Sequence, residues 1–340
     1  MIYKNIEIHN VAHEILCNEG GVRYLRVPEG AYEKMDSDQG RNRARGSTGV
    51  ELRFVMIDDE VKIKIQSLSE PNVLTSYQVF FGSIQGGWEC HEVDKFITAE
   101  PCELVIKKPK NFESLKRIAK EASSEWSPEV VRVIFNRGEY RIIDVLGNVR
   151  PPEKSEMPKR TLLTYGSSIT HGSNAYATPD TWAFVLANNL NYDLINLGMA
   201  GSCAMEPEII DYIAELGEKG KWDIITLELG INVLDWDEEK IRERAGNAIS
   251  QIAQRNPDKR IFVISPFYSN DDFNKLGRAD KWRRILFSIC KEKNYPNVTY
   301  FDGKDILGEM TLISADEVHP NIFGIRQIAQ RLTDRIKNQA

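Results

Sequence analysis

The chain has 340 residues, 41% of them hydrophobic and 28% charged, with a formal net charge of -6. That is the composition of a soluble globular protein long enough to bury a sizeable core, and the acidic balance argues against a nucleic-acid surface, which needs a basic stripe. Five cysteines, an odd number without a Cys-x-x-Cys pair, exclude a disulfide framework and a cysteine zinc site.

The first residues, Met1-Ile2-Tyr3-Lys4-Asn5-Ile6, lack the basic-then-apolar run of a secretion signal, and no window approaches 18 apolar residues. A cytoplasmic protein with reduced thiols and no membrane partner is expected. Strand signals dominate the first half. Residues 50–56 and 61–66 alternate apolar and polar around Asp58-Asp59-Glu60 and predict a hairpin with one buried face. Residues 78–82, 102–106, 130–135 and 140–145 read as further strands, and only 115–122 has a clear helical rhythm. The short basic run Lys107-Lys108-Pro109-Lys110 is flanked by Glu103 and Glu113 and reads as a solvated strand end or turn. Many short strands predict an antiparallel β-sandwich, jelly-roll-like, over residues 1–150.

Composition shifts near Gly147, and the proline-rich, charged stretch 151–160 reads as a linker. From 161 to 340 the rhythm becomes strand then helix. Apolar runs at 161–165, 193–196, 223–228, 260–264 and 297–301 suit parallel strands covered on both faces. Helical segments fall at about 179–190, 206–218, 237–255, 274–294 and 322–337. This predicts a doubly wound α/β sheet whose ligand site lies beyond the carboxyl ends of its strands.

Four segments there carry complementary chemistry: Gly166-Ser167-Ser168-Ile169-Thr170, Asn196-Leu197-Gly198-Met199-Ala200-Gly201, Gly230-Ile231-Asn232 and Asp316-Glu317-Val318-His319-Pro320. Ser168 offers a hydroxyl that needs a base. Of the histidines His9, His13, His91, His171 and His319, the last is the best base because Asp316 precedes it by three residues and can hold its tautomer. The N–H groups of Ser168 and Gly201 and the Asn232 carboxamide would receive an oxyanion.

These residues closely resemble the SGNH, or GDSL-type, hydrolases over about residues 160–338, in the family's motif order. The resemblance implies a flavodoxin-like three-layer domain, Ser168 as nucleophile, Gly201 and Asn232 in the oxyanion hole, and Asp316 with His319 completing a triad. Two positions depart from the pattern: Ser167 replaces the usual Asp of Gly-Asp-Ser, and Val233 the usual Asp after Gly-x-Asn. More narrowly, 165–172 and 196–207 look like bacterial two-domain members with an N-terminal β-sandwich. Some of those relatives act on acylated sugars or transfer acyl groups.

Other readings stand beside these. Ser167 as nucleophile with Ser168 as helix cap is one alternative, which the motif register disfavours. His171, Glu206 and Trp236 are candidate substrate contacts. The alternative for His171 is a rival base or a residue that faces water, Glu206 opens a helix, and Trp236 is equally a packed ring at a helix entrance. Cys203 reads as a small buried filler. Trp88 and Tyr77 are candidate platforms for sugar on a domain that otherwise shields the cleft or mediates self-association, but core packing explains both residues as readily. No metal or cofactor is expected, since neither a zinc-type histidine motif nor a phosphate-binding loop occurs. The expected activity is hydrolysis of a small acyl ester, with acyl transfer to an alcohol or a non-catalytic carbohydrate-binding role as alternatives.

Overall fold

Alternation of side chains across strands builds the first half of the molecule. The computed structural model describes residues 1–70, 73, 75–90 and 96–339. Strands β1 (Ile2–Tyr3), β2 (Ile6–His9), β3 (His13–Leu16) and β4 (Val22–Leu25) precede two short helices, α1 (Glu29–Glu33) and α2 (Asp38–Arg45). Next come β5 (Glu51–Met56), β6 (Glu60–Ser67), β7 (Tyr77–Phe81), β8 (Ile84–Gln85) and β9 (Cys102–Lys107). Helix α3 (Phe112–Glu121) leads into β10 (Val130–Phe135), β11 (Tyr140–Leu146) and β12 (Val149–Arg150). Two antiparallel sheets result, ordered β1-β2-β5-β10-β7-β8 with β12 beside β5, and β3-β4-β11-β6-β9. Leu52, Phe54, Val131 and Val133 of the first meet Ile63, Ile65, Leu104 and Ile142 of the second in one core, the sandwich expected from the strand pattern.

The expected hairpin is corrected: β5 and β6 lie in opposite sheets. Both strands turn their apolar residues into the same core, so alternation determines the face of each strand but not its partner. Nor does β5 keep a wet face. Glu51 and Arg53 are 2% and 0% exposed, because the back of this sheet packs on the second half of the chain. Part of the stretch expected as a linker is packed too: just after Val149 and Arg150 pair with β5, Met157 lies against Val55, Trp126 and Val130.

From Thr161 strands and helices alternate. β13 (Thr161–Gly166) is followed by α4 (Ser168–His171) and α5 (Trp182–Leu190), β14 (Asp193–Gly198) by α6 (Pro207–Glu218), and β15 (Ile224–Glu228) by α7 (Glu238–Arg255). β16 (Arg260–Ile264) leads to α8 (Asn270–Phe273) and α9 (Arg278–Lys293), and β17 (Val298–Phe301) to α10 (Gly303–Ile306) and α11 (Ile322–Lys337). The five strands are parallel in the order β14-β13-β15-β16-β17. One core lies under α6, α7 and α9, the other under α5 and α11. This is the flavodoxin-like strand order, and it places a switch point between β13 and β15, where connections leave on opposite faces and open a crevice. No helix among the described residues is long and apolar enough to cross a membrane.

Buried ions fasten the two halves. Arg53 donates to the two Asp193 oxygens at 2.8 and 2.6 Å and to Glu51 at 2.9 Å. Arg132 holds both oxygens of the same Glu51 at 2.8 and 2.6 Å. Both guanidinium groups face the Trp126 ring, 4.9 and 4.1 Å from its centroid. Phe80 and Ile134 from this sheet also join Leu162, Trp182 and Phe184 in one cluster. Two cations and two carboxylates balance, and removing one strands the rest in a low-dielectric site. Arg53→Met is therefore expected to lower the unfolding free energy by about 3–5 kcal/mol in denaturant titration. A loss of only about 0–1 kcal/mol, the range of a surface pair, would overturn this account of the junction.

Candidate active site

The carboxyl end of β13 sets the first component. A Cβ on Gly166 would lie 2.3 Å from Thr170 Oγ1 and 2.7 Å from Glu228 Oε2, so only glycine fits where the chain turns into α4. Ser167 caps this helix, its Oγ accepting the Ile169 N–H at 3.1 Å. Ser168 is the first helical residue, so its own N–H has no acceptor within the helix. Its Oγ–H donates to His319 Nε2 at 2.7 Å. The structure thus brings Ser168, rather than Ser167, to the imidazole.

The last loop supplies the other two groups. His319 Nδ1–H donates to Asp316 Oδ2 at 2.8 Å. Asp316 Oδ1 accepts the backbone N–H groups of Val318 and His319 at 3.0 and 2.9 Å. Partial burial opposes ionisation, but these donors and the His319 ring hold the Asp316 carboxyl well below the usual carboxylate range. An ionised Asp316 keeps the imidazole proton on Nδ1 and leaves Nε2 as a base facing the serine. Asn174 steadies the loop by donating to Ser314 Oγ at 2.8 Å and Asp316 Oδ2 at 3.4 Å.

The donor side comes from the ends of β14 and β15. A turn over 199–202 is closed by the Ser202 N–H on the Met199 carbonyl at 3.0 Å. Gly201 occupies its third position with φ 72°, the left-handed site of a type II turn. Asn232 lies in the short turn Ile231–Val233. Its Oδ1 accepts the Cys203 N–H at 3.2 Å, and among the described residues its Nδ2 has no acceptor.

Glu228 completes the floor and was missed in the sequence. The last residue of β15, it is fully buried. Its Oε2 accepts the N–H and O–H of Ser167, both at 2.7 Å, and the Thr170 hydroxyl at 3.1 Å. A carboxylate therefore sits under the turn in which Ser167 supplies none. The available signal was an acidic residue closing a strand, Ile224-Ile225-Thr226-Leu227, that carries no other charge. Burial pushes the Glu228 carboxyl up to about 7, against the opposing hydrogen bonds from Ser167 and Thr170.

Other candidates are placed differently. His171 is 3% exposed, which corrects its reading as a cleft or rival-base residue. Its Nδ1–H donates to the Gly198 carbonyl at 2.9 Å, so its Nε2 accepts from Thr48 Oγ1 at 3.0 Å. Burial, with the charges of Arg26, Arg43 and Arg137, pushes it well below the ordinary histidine range. Glu206 is also buried and has no surface to offer a substrate. Burial raises its carboxyl. Trp236 is half-buried, with its ring 6.2 Å from that of Trp282 and Lys240 Nζ over it at 4.4 Å. Tyr77 belongs to the sandwich core and is no platform, whereas Trp88 is 81% exposed. Cys203 is buried, as a filler should be. His91 lies outside the described residues.

A family model described as the GDSL-like lipase/acylhydrolase family matches residues 159–337. No curated protein matches the chain. Among solved structures, the salicylyl-acyltransferase SsfX3 from a tetracycline biosynthetic pathway gives a TM-score of 0.78 at 18% identity, covering 99% of this chain and 95% of that one. A family two carbohydrate esterase from Cellvibrio japonicus gives 0.63 at 11% identity, with 98% and 95% covered. The acetyl xylan esterase Est2A from the rumen bacterium Butyrivibrio proteoclasticus gives 0.55 at 12%, with 99% and 97% covered. At these identities the likeness is one of fold, and it runs through both halves of the chain.

The raised Glu228 carboxyl has a thermodynamic consequence. An acid whose pKa rises on folding holds its proton more tightly when folded, so its destabilising effect is absent below pH 4.5 and grows as pH climbs toward about 7. Glu228→Gln removes that proton equilibrium while keeping the size and one acceptor. Its stability relative to wild type is expected to rise across this interval by up to about 3 kcal/mol. Denaturant melts between about pH 4 and pH 8 read the slope; a flat difference would mean that folding does not raise the Glu228 pKa.

Proposed function

The chain belongs to the GDSL-like lipase/acylhydrolase family of ester-hydrolysing enzymes, and from that premise we propose that it is a serine esterase acting through an acyl-enzyme on Ser168. The substrate class is a small acyl ester, in the first place an acetyl group on a carbohydrate or related metabolite. The observation that carries this reading is the 2.7 Å hydrogen bond between Ser168 and His319, which stand 151 positions apart.

Each step uses a group already described. His319 Nε2 takes the Ser168 proton as Oγ bonds to the ester carbonyl carbon. The negative charge on the former carbonyl oxygen is met by the N–H groups of Ser168 and Gly201 and by Asn232 Nδ2. Collapse breaks the carbon–alkoxide bond, and the His319 proton goes to the leaving alcohol. His319 then takes a proton from water, whose oxygen bonds to the acyl carbon. The Ser168–acyl bond breaks, the serine recovers its proton, and a carboxylic acid is released.

A second reading shares the acyl-enzyme. An acceptor alcohol in place of water would make the protein an acyltransferase. The fold likeness to SsfX3 across 99% of the chain favours keeping it in view. Hydrolysis in the presence of added acceptor alcohols separates the two by the products formed. The proposal also includes a cytoplasmic setting, supported by five free cysteines, and a division of labour between residues 1–150 and 161–340.

Ser168→Ala is expected to lower hydrolysis of p-nitrophenyl acetate by at least about a thousand-fold. A fluorophosphonate probe should label Ser168 in the wild type, as read by mass spectrometry of the peptide. Undiminished turnover by the variant, or an adduct elsewhere, would remove the nucleophile assignment. Asn232→Ala should cost about a hundred- to a thousand-fold in kcat with little change in KM. A rise in KM alone would mean that Asn232 binds substrate instead of the oxyanion.

A further inference from the structure

The peptide between Ala200 and Gly201 is held from the sandwich half of the molecule. Gln39 Nε2 and Arg43 Nε, one turn apart on α2, each donate to the Ala200 carbonyl at 3.2 Å. In a trans peptide the carbonyl and the N–H of one plane point in opposite directions. Holding the Ala200 oxygen toward α2 therefore turns the Gly201 N–H away from α2. The turn itself starts beside the end of β13, where the Met199 N–H bonds to the Gly166 carbonyl at 2.8 Å.

The turn alone does not secure this orientation. Types I and II differ by a flip of the central peptide, and glycine tolerates both. Two side-chain donors on the carbonyl select one. The Gln39 carboxamide also fills the space beside Gly201, where a Cβ would meet its Nε2 at 2.1 Å. Arg43 adds charge: among the described residues it forms no ion pair, and its hydrogen bond polarises the peptide and strengthens the N–H on the far side.

Helix α2 is itself tied to the turn. Ser37 caps it by accepting the Gly40 N–H at 3.0 Å. Arg26, fully buried, donates to the carbonyls of Arg43 at 2.6 Å and Gly46 at 2.8 Å. The same guanidinium reaches the carbonyls of Asn196 at 2.9 Å and Gly198 at 3.1 Å. One side chain thus sets the spacing between the end of α2 and the end of β14.

We propose that Gln39 and Arg43 are positioning residues of the esterase reaction, fixing and polarising the Ala200–Gly201 peptide so that the Gly201 N–H is presented to the oxyanion. This rests on the role given to Gly201 in the proposed function. The N-terminal half then contributes to the chemical step without touching the reacting atoms.

The test uses the full chain with Gln39→Leu, Arg43→Met and the double variant. Each single change is expected to lower kcat on p-nitrophenyl acetate by about ten-fold and the pair by about a hundred-fold, with KM within about three-fold. Affinity for a boronic acid, which forms a tetrahedral adduct on Ser168, should weaken in parallel, and Arg43→Lys should recover part of both. Gln39→Glu places a repelling oxygen on the Ala200 carbonyl without loss of volume and should match Gln39→Leu; with Arg43→Lys it decides the matter if the apolar variants do not fold. Unchanged kcat and boronate affinity in folded variants, with an active wild type, would sink the positioning role alone. A wild type without Ser168-dependent turnover would instead sink the proposed function.

Discussion

Two guanidinium groups and two carboxylates sealed between the sandwich and the edge of the parallel sheet set the relation of everything else. Arg53 and Arg132 cannot lie at 0% and 4% exposure without Asp193 and Glu51 beside them. Because Asp193 opens β14, that network fixes one end of a strand whose other end runs into the Gly201 turn. Along the same strand, His9 donates to the Leu194 carbonyl at 2.6 Å and Asn10 to the Asn196 carbonyl at 3.0 Å. The sandwich therefore follows β14 from its start to the mouth of the crevice.

Carboxylates near Ser168 are put to different uses by their surroundings. Asp316 receives backbone and imidazole donors at the rim and stays charged, as a partner for His319 must. Glu228 receives donors of the turn that carries Ser167, lies fully buried, and is pushed toward neutrality. In the proposed reaction the first would stabilise charge that develops on His319; the second orders the backbone from beneath. The divergence arises from environment, not from residue type.

Much of this was legible from the residues. Strand-then-helix rhythm carries the α/β sheet because each strand is covered on both faces and each helix on one. The juxtaposition of Ser168, His319 and Asp316 was legible because the chemistry proposed for them admits few residue types. Other features were not. Alternation in β5 and β6 marks the core-facing side of each but cannot say which sheet each joins. Helix α2 escaped because Asp38-Gln39-Gly40-Arg41-Asn42-Arg43 has almost no apolar rhythm; it is seated by a cap, Ala44 and a buried arginine. His171 was misread because burial of a neutral imidazole depends on partners at Thr48 and Gly198, which only folding brings together.

Arg26 is the feature with the widest reach. A buried cation whose hydrogen bonds go to four carbonyls, two on each side of the junction, commits both halves to one another's backbone. Such a contact depends on where chain atoms lie rather than on which side chains surround them. The consequence concerns modularity: the α/β half cannot be transplanted onto a different accessory module by matching surface residues. A working chimera would have to reproduce a helix at the same height above β14.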